Sequence, residues 1–481
     1  MLYRTVNKKV QLVIRLLTAT VVLLVLFFST DFNKKKIPKK KQIILISIDT
    51  LRGDHLSSYG YSRDTSPHLS QLGKDSTYYI NAYANSSWTM PSHMSLLTGT
   101  LPSRHGVNSF WGTLPHERYP KLNRSLKSIA EILKAHHIDT MKFALLPDEL
   151  GFAKGFAKNN RYDPFFVDNG FNNVLQELEN YKDKDFFLFI HTWMVHAPYS
   201  NCYFLEKEKI SEAKKNYIDN FRKYSPEKGN LVEEFQRFLQ ENHLFNPDDC
   251  MTLYDSGIHY VDRYIGKIID KTRQLGIYEE LLLIIVSDHG EHFDEHYANN
   301  FYSFHGKDFF EEFIKVPLII KYPFKFRSGI LTHPVSLVDV FPTILDFYEF
   351  EIPAFVQGDS LLKPYPRRDR KYIISEAISE GNIETKMIRI GDLKYMITMI
   401  DPQRPERVNW EAITRRRLFN LKNDPLEQRD LYSNLKFRRI CMELEKKLTR
   451  IIKNSAKSNR RRQKTTISKE TIKQLKTLGY L

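Results

Sequence analysis

The sequence predicts an α/β fold: a doubly wound, mostly parallel sheet, followed by a smaller C-terminal antiparallel α+β subdomain and preceded by an N-terminal membrane anchor helix. Three observations lead there. From residue 42 onward short apolar runs alternate with amphipathic stretches, the pattern of strands buried on both faces and of the helices that cover them. From about Pro366 the runs shorten and are separated by turn signals such as Gly391-Asp392. Near the start, residues 10–28 are apolar apart from Gln11, Arg15, Thr18 and Thr20.

At ~1.5 Å per residue that first run is just under the ~30 Å of a bilayer's hydrocarbon core. Lys8 and Lys9 precede it, six lysines follow between Lys34 and Lys41, and Arg15 can snorkel to the interface. Ser29-Thr30-Asp31-Phe32 offers no small-x-small cleavage site, so the segment reads as an uncleaved single-pass anchor. By the positive-inside rule alone, the larger basic flank pulls the body toward the cytoplasm. Residues 1–41 carry a net charge of +9 and residues 441–481 another +9, which leaves 42–440 at about −3. A nucleic-acid enzyme spreads its positive field over the surface that grips phosphates. Charge held on two tails fits anionic lipid instead, so a membrane partner and no nucleic acid are expected. Three cysteines exclude a disulfide-stapled scaffold and a multi-cysteine zinc module. Cys202 and Cys250 bracket an insert, although spacing does not fix the geometry a bridge needs.

Within the body, residues 42–48 form a continuous apolar run ending at Asp49, as a buried parallel strand does. Ser66-Pro67 opens a short helix, cap followed by proline. Residues 126–137 have amphipathic helical spacing. Residues 186–193 and 281–287 are further buried strands, 316–321 is another, and 335–348 returns to helical spacing. Residues 200–250 read as a charge-rich helical insert. Short strands are expected at 371–377, 387–390, 395–400 and 417–421, a helix at 439–452, a basic stretch at 453–464 and a terminal helix. The implied organisation is anchor and linker (1–41), catalytic domain (42–365), α+β subdomain (366–452) and basic tail (453–481).

Ligands in doubly wound sheets gather at the carboxyl ends of strands. There the sequence places Asp49, and Asp288-His289 within Val286-Ser287-Asp288-His289-Gly290-Glu291. A buried carboxylate must be paired, capped or coordinated. Two such strand ends, one with an imidazole beside it, suit a metal better than two helix caps. The third element is Ser87-Trp88-Thr89-Met90-Pro91-Ser92-His93-Met94-Ser95-Leu96-Leu97-Thr98-Gly99. Pro91 opens a helix and leaves Thr89 just before it, where free N–H groups and the helix dipole stabilise an anion. A hydroxyl there, beside a divalent cation, can lose its proton near neutral pH and attack phosphorus or sulfur.

This last segment resembles the sulfatase signature, Cys/Ser-x-Pro-Ser-Arg with a Leu-x-Thr-Gly tail, with Thr89 in the nucleophile position and His93 in that of the Arg. Further stretches agree with that family of the alkaline-phosphatase superfamily: Ser47-Ile48-Asp49-Thr50-Leu51-Arg52-Gly53-Asp54-His55-Leu56, Ser287 through Glu291, His196-Ala197-Pro198-Tyr199, and His305-Gly306 running into Glu311-Glu312 and Val316-Pro317. Residues 337–345 and 418–431, with Asp424-Pro425, resemble later landmarks, so the likeness covers roughly 42–481. It implies a sheet of the alkaline-phosphatase/sulfatase type and one divalent metal ion held by Asp49, Asp288, His289 and the Thr89 oxygen. The mixed oxygen and nitrogen set favours zinc or manganese, with calcium as the alternative. It also implies that Thr89, His196 and His305 are catalytic, the two histidines flanking the ester, and that His93 serves substrate binding by positioning the nucleophile. His105 reads as a structural loop residue. The substrate would be a sulfate or phosphate ester, and the family's exported habit puts the body outside the cytoplasm.

Two departures shape the functional expectation. Thr50 stands where many sulfatases carry a second Asp. Thr89 stands where sulfatases carry the Cys or Ser that is oxidised to an aldehyde, which a Thr cannot become because its carbinol carbon bears a methyl group. A sulfo-Thr would lack an easy exit, whereas a phospho-Thr can be opened by in-line attack of water or an acceptor hydroxyl. The expected protein is a metal-dependent ester hydrolase working through a covalent Thr89 intermediate, on phosphoric more than sulfuric esters. The alternatives are a membrane-anchored phosphotransferase acting on an envelope glycan or lipid, and an inactive sulfatase-fold scaffold.

Overall fold

The computed structural model describes residues 38–108, 119–160, 167–197, 199, 203–204, 247–293, 295–296, 305–306, 308–363, 372–379, 383–400, 410–457 and 463–477. Residues 1–39 and 40–481 are two separate compact units. The expected anchor at 10–28, Pro198, Cys202, most of the insert at 200–250 and the boundary at 365/366 lie outside the described residues. Among the described residues no helix is long and apolar enough to cross a membrane.

Eight strands make the main sheet: β1 (Gln42–Ile48), β2 (Thr77–Tyr79), β3 (Asp139–Phe143), β4 (Lys158–Asn160), β5 (Phe186–Thr192), β6 (Leu282–Ser287), β7 (Leu318–Lys321) and β8 (Gly329–Leu331). Their order is β8-β2-β7-β6-β1-β5-β3-β4. β1 lies inside the sheet, parallel to β5 on one side and β6 on the other. β7 alone is reversed, antiparallel to both β6 and β2.

Every residue of β1 is buried because the sheet is covered on both faces. Ile43 and Leu45 enter one core, Ile44, Ile46 and Ile48 the other. The period of two then puts Ser47 on the first face, beside His191 across the β1–β5 pair. Six helices cover the sheets or carry functional residues: α1 (Pro67–Leu72), α2 (Thr89–Thr98), α3 (Ile129–Ala135), α4 (Pro247–Gln274), α5 (Val340–Phe347) and α6 (Arg438–Ala456). On the first face α2 packs through Met90, Met94 and Leu97. The second face is closed by α4, through Leu253, Ile258, Val261 and Ile265.

Several elements differ from the periodicity for identifiable reasons. α2 begins at Thr89 itself, and Pro91 falls in its first turn, where no intrahelical N–H is required. α3 begins at Ile129 because Ser128 and Glu131 form a capping box, with bonds of 2.8 and 3.1 Å. The run at 316–321 is split at Pro317: Lys315–Val316 pairs with Ala82–Tyr83 in a small separate sheet, and β7 starts at Leu318. The stretch at 335–348 opens as a short strand, Val335–Ser336, and a capping box between Ser336 and Asp339 precedes α5.

Beyond the main sheet, β9 (Ile373–Ser379), β10 (Ile383–Ile390), β11 (Leu393–Ile400) and β12 (Ile413–Asn420) form an antiparallel sheet in sequence order. α6 packs on it through Leu444, Leu448 and Ile452. Buried charges tie this sheet to the body. Arg417 on β12 makes a bidentate pair with Asp308 at 2.6 and 2.7 Å. Lys394 on β11 lies 2.7 Å from Glu311 and 2.9 Å from Glu427, and donates to the Phe309 carbonyl. Removing one partner of such a pair strands the other, at about 3–5 kcal/mol. Gln463–Thr465 also returns to pair with Tyr119–Lys121.

Candidate active site

Because β1 and β6 are parallel neighbours, Asp49 and Asp288 emerge at the same edge of the sheet, both fully buried. The Asp49 N–H donates to the Thr192 carbonyl at the end of β5 (2.9 Å). The chain then turns through Thr50 at φ 56°, a left-handed conformation that costs a β-branched residue about 1–3 kcal/mol. Tyr254 of α4 holds the turn: its hydroxyl donates to the Thr50 carbonyl and accepts from the Arg52 N–H, both at 2.7 Å. The Thr50 hydroxyl donates to the Asp49 carbonyl (2.8 Å), back onto the main chain. After β6, Gly290 is required by space, since a Cβ there would lie 1.8 Å from the Glu312 carbonyl oxygen.

Four side chains converge at this edge. Thr89 Oγ1 lies 3.2 Å from His289 Nε2 and 3.5 Å from Asp49 Oδ2. His289 Nε2 is also 3.4 Å from Asp49 Oδ1 and 3.5 Å from Asp288 Oδ2. His289 Nδ1 is 2.9 Å from the Gly290 carbonyl, which can only accept, so Nδ1 carries the proton. Burial lowers this imidazole to about 3 and keeps it neutral. The Nε2 lone pair therefore faces two carboxylates and a hydroxyl oxygen. Burial, then Asp49, pushes the Asp288 carboxyl well above the usual range, and its Oδ2 makes no well-formed hydrogen bond among the described residues. Lone pairs turned on one another in a dry site call for a cation. Asp49, Asp288 and His289 can supply ligand atoms all within 4.8 Å of one another.

A second group that satisfies the same spacing, His93, His191 and Asp288, has its nitrogens engaged elsewhere. His93 Nδ1 donates to the Thr89 carbonyl at 2.9 Å and lies 3.3 Å from Asp288 Oδ2, while Nε2 accepts from the Ser47 hydroxyl at 2.9 Å. His93 is itself a residue of α2, fully buried, and its ring grips the main chain of Thr89 one turn before it. His191 Nε2 lies 3.2 Å from Asp49 Oδ2. Burial lowers it to about 3, so the neutral ring donates to the carboxylate and orients it.

His196 and His305 stand on the other side. Their rings are 4.8 Å apart edge to face, and the His305 ring is 4.6 Å from that of His289. His196 Nδ1 donates to the Ala197 carbonyl, and the ring stacks on Trp193 at 4.2 Å. His305 Nδ1 lies 3.2 Å from Glu291 Oε1, and Glu291 Oε2 accepts from the Tyr199 hydroxyl at 3.1 Å. Burial lowers His305 to about 4 and raises Glu291 well above the ordinary carboxyl range. His105 is remote in character, buried between Ser95 (3.0 Å) and the Val107 N–H (3.1 Å).

Sequence reasoning passes over His191 and Glu291. His191 hides inside an apolar strand, yet it continues the Phe187, Phe189 alternation onto the face that holds α2. Glu291 is the last residue of the Asp288-His289-Gly290-Glu291 motif and gives no signal beyond its place there.

Behind the site, Arg52 donates to the Glu291 carbonyl at 3.1 Å and pairs with Asp54 and Glu295. Glu295 in turn lies 3.0 Å from His292, which is 3.7 Å from Glu312. Burial opposes the His292 cation, but hydrogen bonds to Glu295 and Glu312 outweigh it and raise the group to about 9. A folded value above the unfolded ~6.5 contributes stability that is complete below pH ~6.5 and lost as pH rises through about 9. Denaturant titrations should show a decline on the order of 2 kcal/mol across that window, absent in His292→Gln. A variant with an unchanged slope would sink the assignment.

The sequence profile described as Sulfatase matches residues 41–349. An ulvan-active sulfatase of Formosa agariphila is 24% identical over 92% of this chain and 89% of its own length. A choline-sulfatase of Rhizobium meliloti is 22% identical over 82% of this chain and 83% of its own. A crystal structure of a phosphonate monoester hydrolase of Agrobacterium radiobacter superposes with a TM-score of 0.66 at 16% identity, over 86% of this chain and 96% of that one, a likeness of fold. With a mixed α/β architecture, a large sheet, a C-terminal antiparallel sheet and a profile match across most of its length, the chain belongs to the sulfatase family and is an ester hydrolase of that family.

Proposed function

We propose that the chain is a metal-dependent esterase whose nucleophile is the unmodified Thr89 hydroxyl and whose substrates are phosphoric rather than sulfuric esters. The observation that carries this reading is Thr89 Oγ1 at the N-terminus of α2, 3.2 Å from His289 Nε2 and 3.5 Å from Asp49 Oδ2. Asp49, Asp288, His289 and Thr89 would hold one divalent cation, and their oxygen and nitrogen donors favour zinc or manganese over calcium. Such an ion, when bound, polarises the ester and acidifies the hydroxyl.

The protein's own groups do the rest. Thr89 Oγ1 forms the bond to phosphorus as the bond to the leaving oxygen breaks, and its proton passes to Asp49 Oδ2. Glu291, kept protonated by burial, donates to His305 Nδ1 and leaves the neutral ring's proton on Nε2. His305 Nε2 gives that proton to the leaving oxygen as Nδ1 takes the one from Glu291. His196 Nε2 faces a non-bridging oxygen. His93 acts as a positioning residue, holding the Thr89 carbonyl through Nδ1 while Ser47 holds its ring at Nε2. Water attacking in line then opens the phospho-Thr and restores the hydroxyl.

Sulfuric esters are the second reading, favoured by what the relatives are named for. A panel of aryl sulfate, phosphate monoester, phosphodiester and phosphonate ester decides between them. Fastest turnover is expected on a phosphorus ester; an aryl sulfate cleaved much faster than the phosphodiester would overturn the preference.

The same reading keeps the anchor at residues 10–28, the body outside the cytoplasm, and domains at 42–365 and 366–452 with a basic tail. Support for the anchor is the apolar run and its lysine flanks. Protease added to intact cells or spheroplasts should digest the body; protection of residues 42–481 would reverse the topology.

A further inference from the structure

A groove of about 1080 Å³ runs beside α6, walled by that helix, the loop at 432–435 and Arg416 of β12. It shares no residue with the Thr89 site. Six lining residues are cationic, Arg416, Arg438, Lys446, Arg450, Lys453 and Lys457, against one acid, Glu445. That acid is already committed: Arg416 Nε donates to it at 2.8 Å and the Tyr395 hydroxyl at 2.5 Å. The other five cations are exposed and none makes an ion pair among the described residues.

The placement sets like charges side by side. Lys446, Arg450, Lys453 and Lys457 follow at intervals of three and four, so each faces the next and repels it by roughly 0.2–0.5 kcal/mol per pair. The helix dipole offsets this for Lys453 in the last turn and Lys457 at the C-cap, but not for Lys446 and Arg450. Elsewhere on α6 the usual remedy is present, the Arg439–Glu443 pair at 3.0 Å. Along the groove it is missing. From Arg438 to Lys457 the stripe extends roughly 28 Å at the helical rise. Its occupant must be anionic at several points along its length. The walls are recessed, which suits a chain lying in the groove better than a flat bilayer.

We propose that this groove is an accessory binding site for a linear polyanionic glycan bearing sulfate or phosphate esters, which holds the polymer while single esters are cleaved at Thr89. The proposal rests on the ester-hydrolase reading, since that activity makes a polymer bearing such esters a substrate.

The test uses the full chain in detergent. Binding of dextran sulfate and of phosphorylated dextran is measured for the wild type, for Lys446→Gln/Arg450→Gln/Lys453→Gln, and for a control with equal charge loss outside the groove, Lys422→Gln/Lys436→Gln/Arg439→Gln. The groove variant should bind the preferred polymer at least tenfold more weakly, with the control near wild type and aryl-ester turnover unchanged in both. The preferred polymer tells sulfate from phosphate. Equal weakening in groove and control variants, no weakening in either, or a loss in the groove variant that is larger for anionic vesicles or duplex DNA than for both dextrans would overturn the proposal. Binding needs no turnover, so the two readings fail separately. An inactive protein whose groove variant still loses the polymer keeps the groove and drops the esterase. An active one whose variant still binds does the reverse.

Discussion

Thr89→Ala is expected to abolish turnover, by roughly 10³-fold or more, while the fold survives. The side chain removed is short and buried at the first turn of α2, and Asp49, Asp288 and His289 remain to bind metal. Thr89→Ser should retain substantial activity, because it deletes one methyl group and keeps the oxygen. Thr89→Cys should not acquire sulfatase activity even beside aldehyde-forming machinery, because His93 replaces the Arg of the recognised pentapeptide. The measurement is kcat on an aryl phosphodiester, with bound metal by elemental analysis and a melting curve for each variant. Wild-type turnover in Thr89→Ala would end the nucleophile assignment.

The second large effect concerns the carboxylate pair. Asp288→Ala and His289→Ala should each lose metal and activity together, and full metal occupancy in both would mean the ions bind elsewhere. A stability readout separates chemistry from binding. Asp49 and Asp288 repel one another in a site that burial has dried, so the wild type should melt at a lower temperature once a chelator strips the ion. Asp288→Asn removes one of the two charges without changing the volume. Its melting temperature should respond little to chelator, whereas an equal drop in both proteins would place the ion's stabilising effect outside this pair.

How much of the fold and site is legible in the chain depends on whether a residue's role is local. β1 and its terminal Asp49 can be read because a strand buried on both faces is a contiguous apolar run, and the run stops where the polar edge begins. Asp288 and His289 follow from the same rule. His191 is hidden because it sits within such a run, where only the alternation of faces, not hydropathy, distinguishes it. The start of α5 escapes the spacing because Ser336 and Asp339 cap one another, a side-chain event that periodicity cannot register. The pairing of Gln463–Thr465 with Tyr119–Lys121 joins two polar segments far apart in the chain, and nothing in either foretells the other.

The bidentate bond between Arg417 and Asp308 also sets an order in time. Asp308 lies three residues past His305, and its partner is 109 positions further along the chain. A ribosome that has delivered Asp49, Thr89, Asp288 and His305 has delivered every group of the proposed chemistry, yet the loop carrying His305 still lacks the guanidinium that fixes it. Glu311 waits likewise for Lys394. A nascent chain stopped near residue 349, where the family profile ends, is expected to be inactive although it holds the proposed nucleophile and metal ligands. Activity should appear only after Lys394 and Arg417 have been added, so the site waits on strands made long after its own residues.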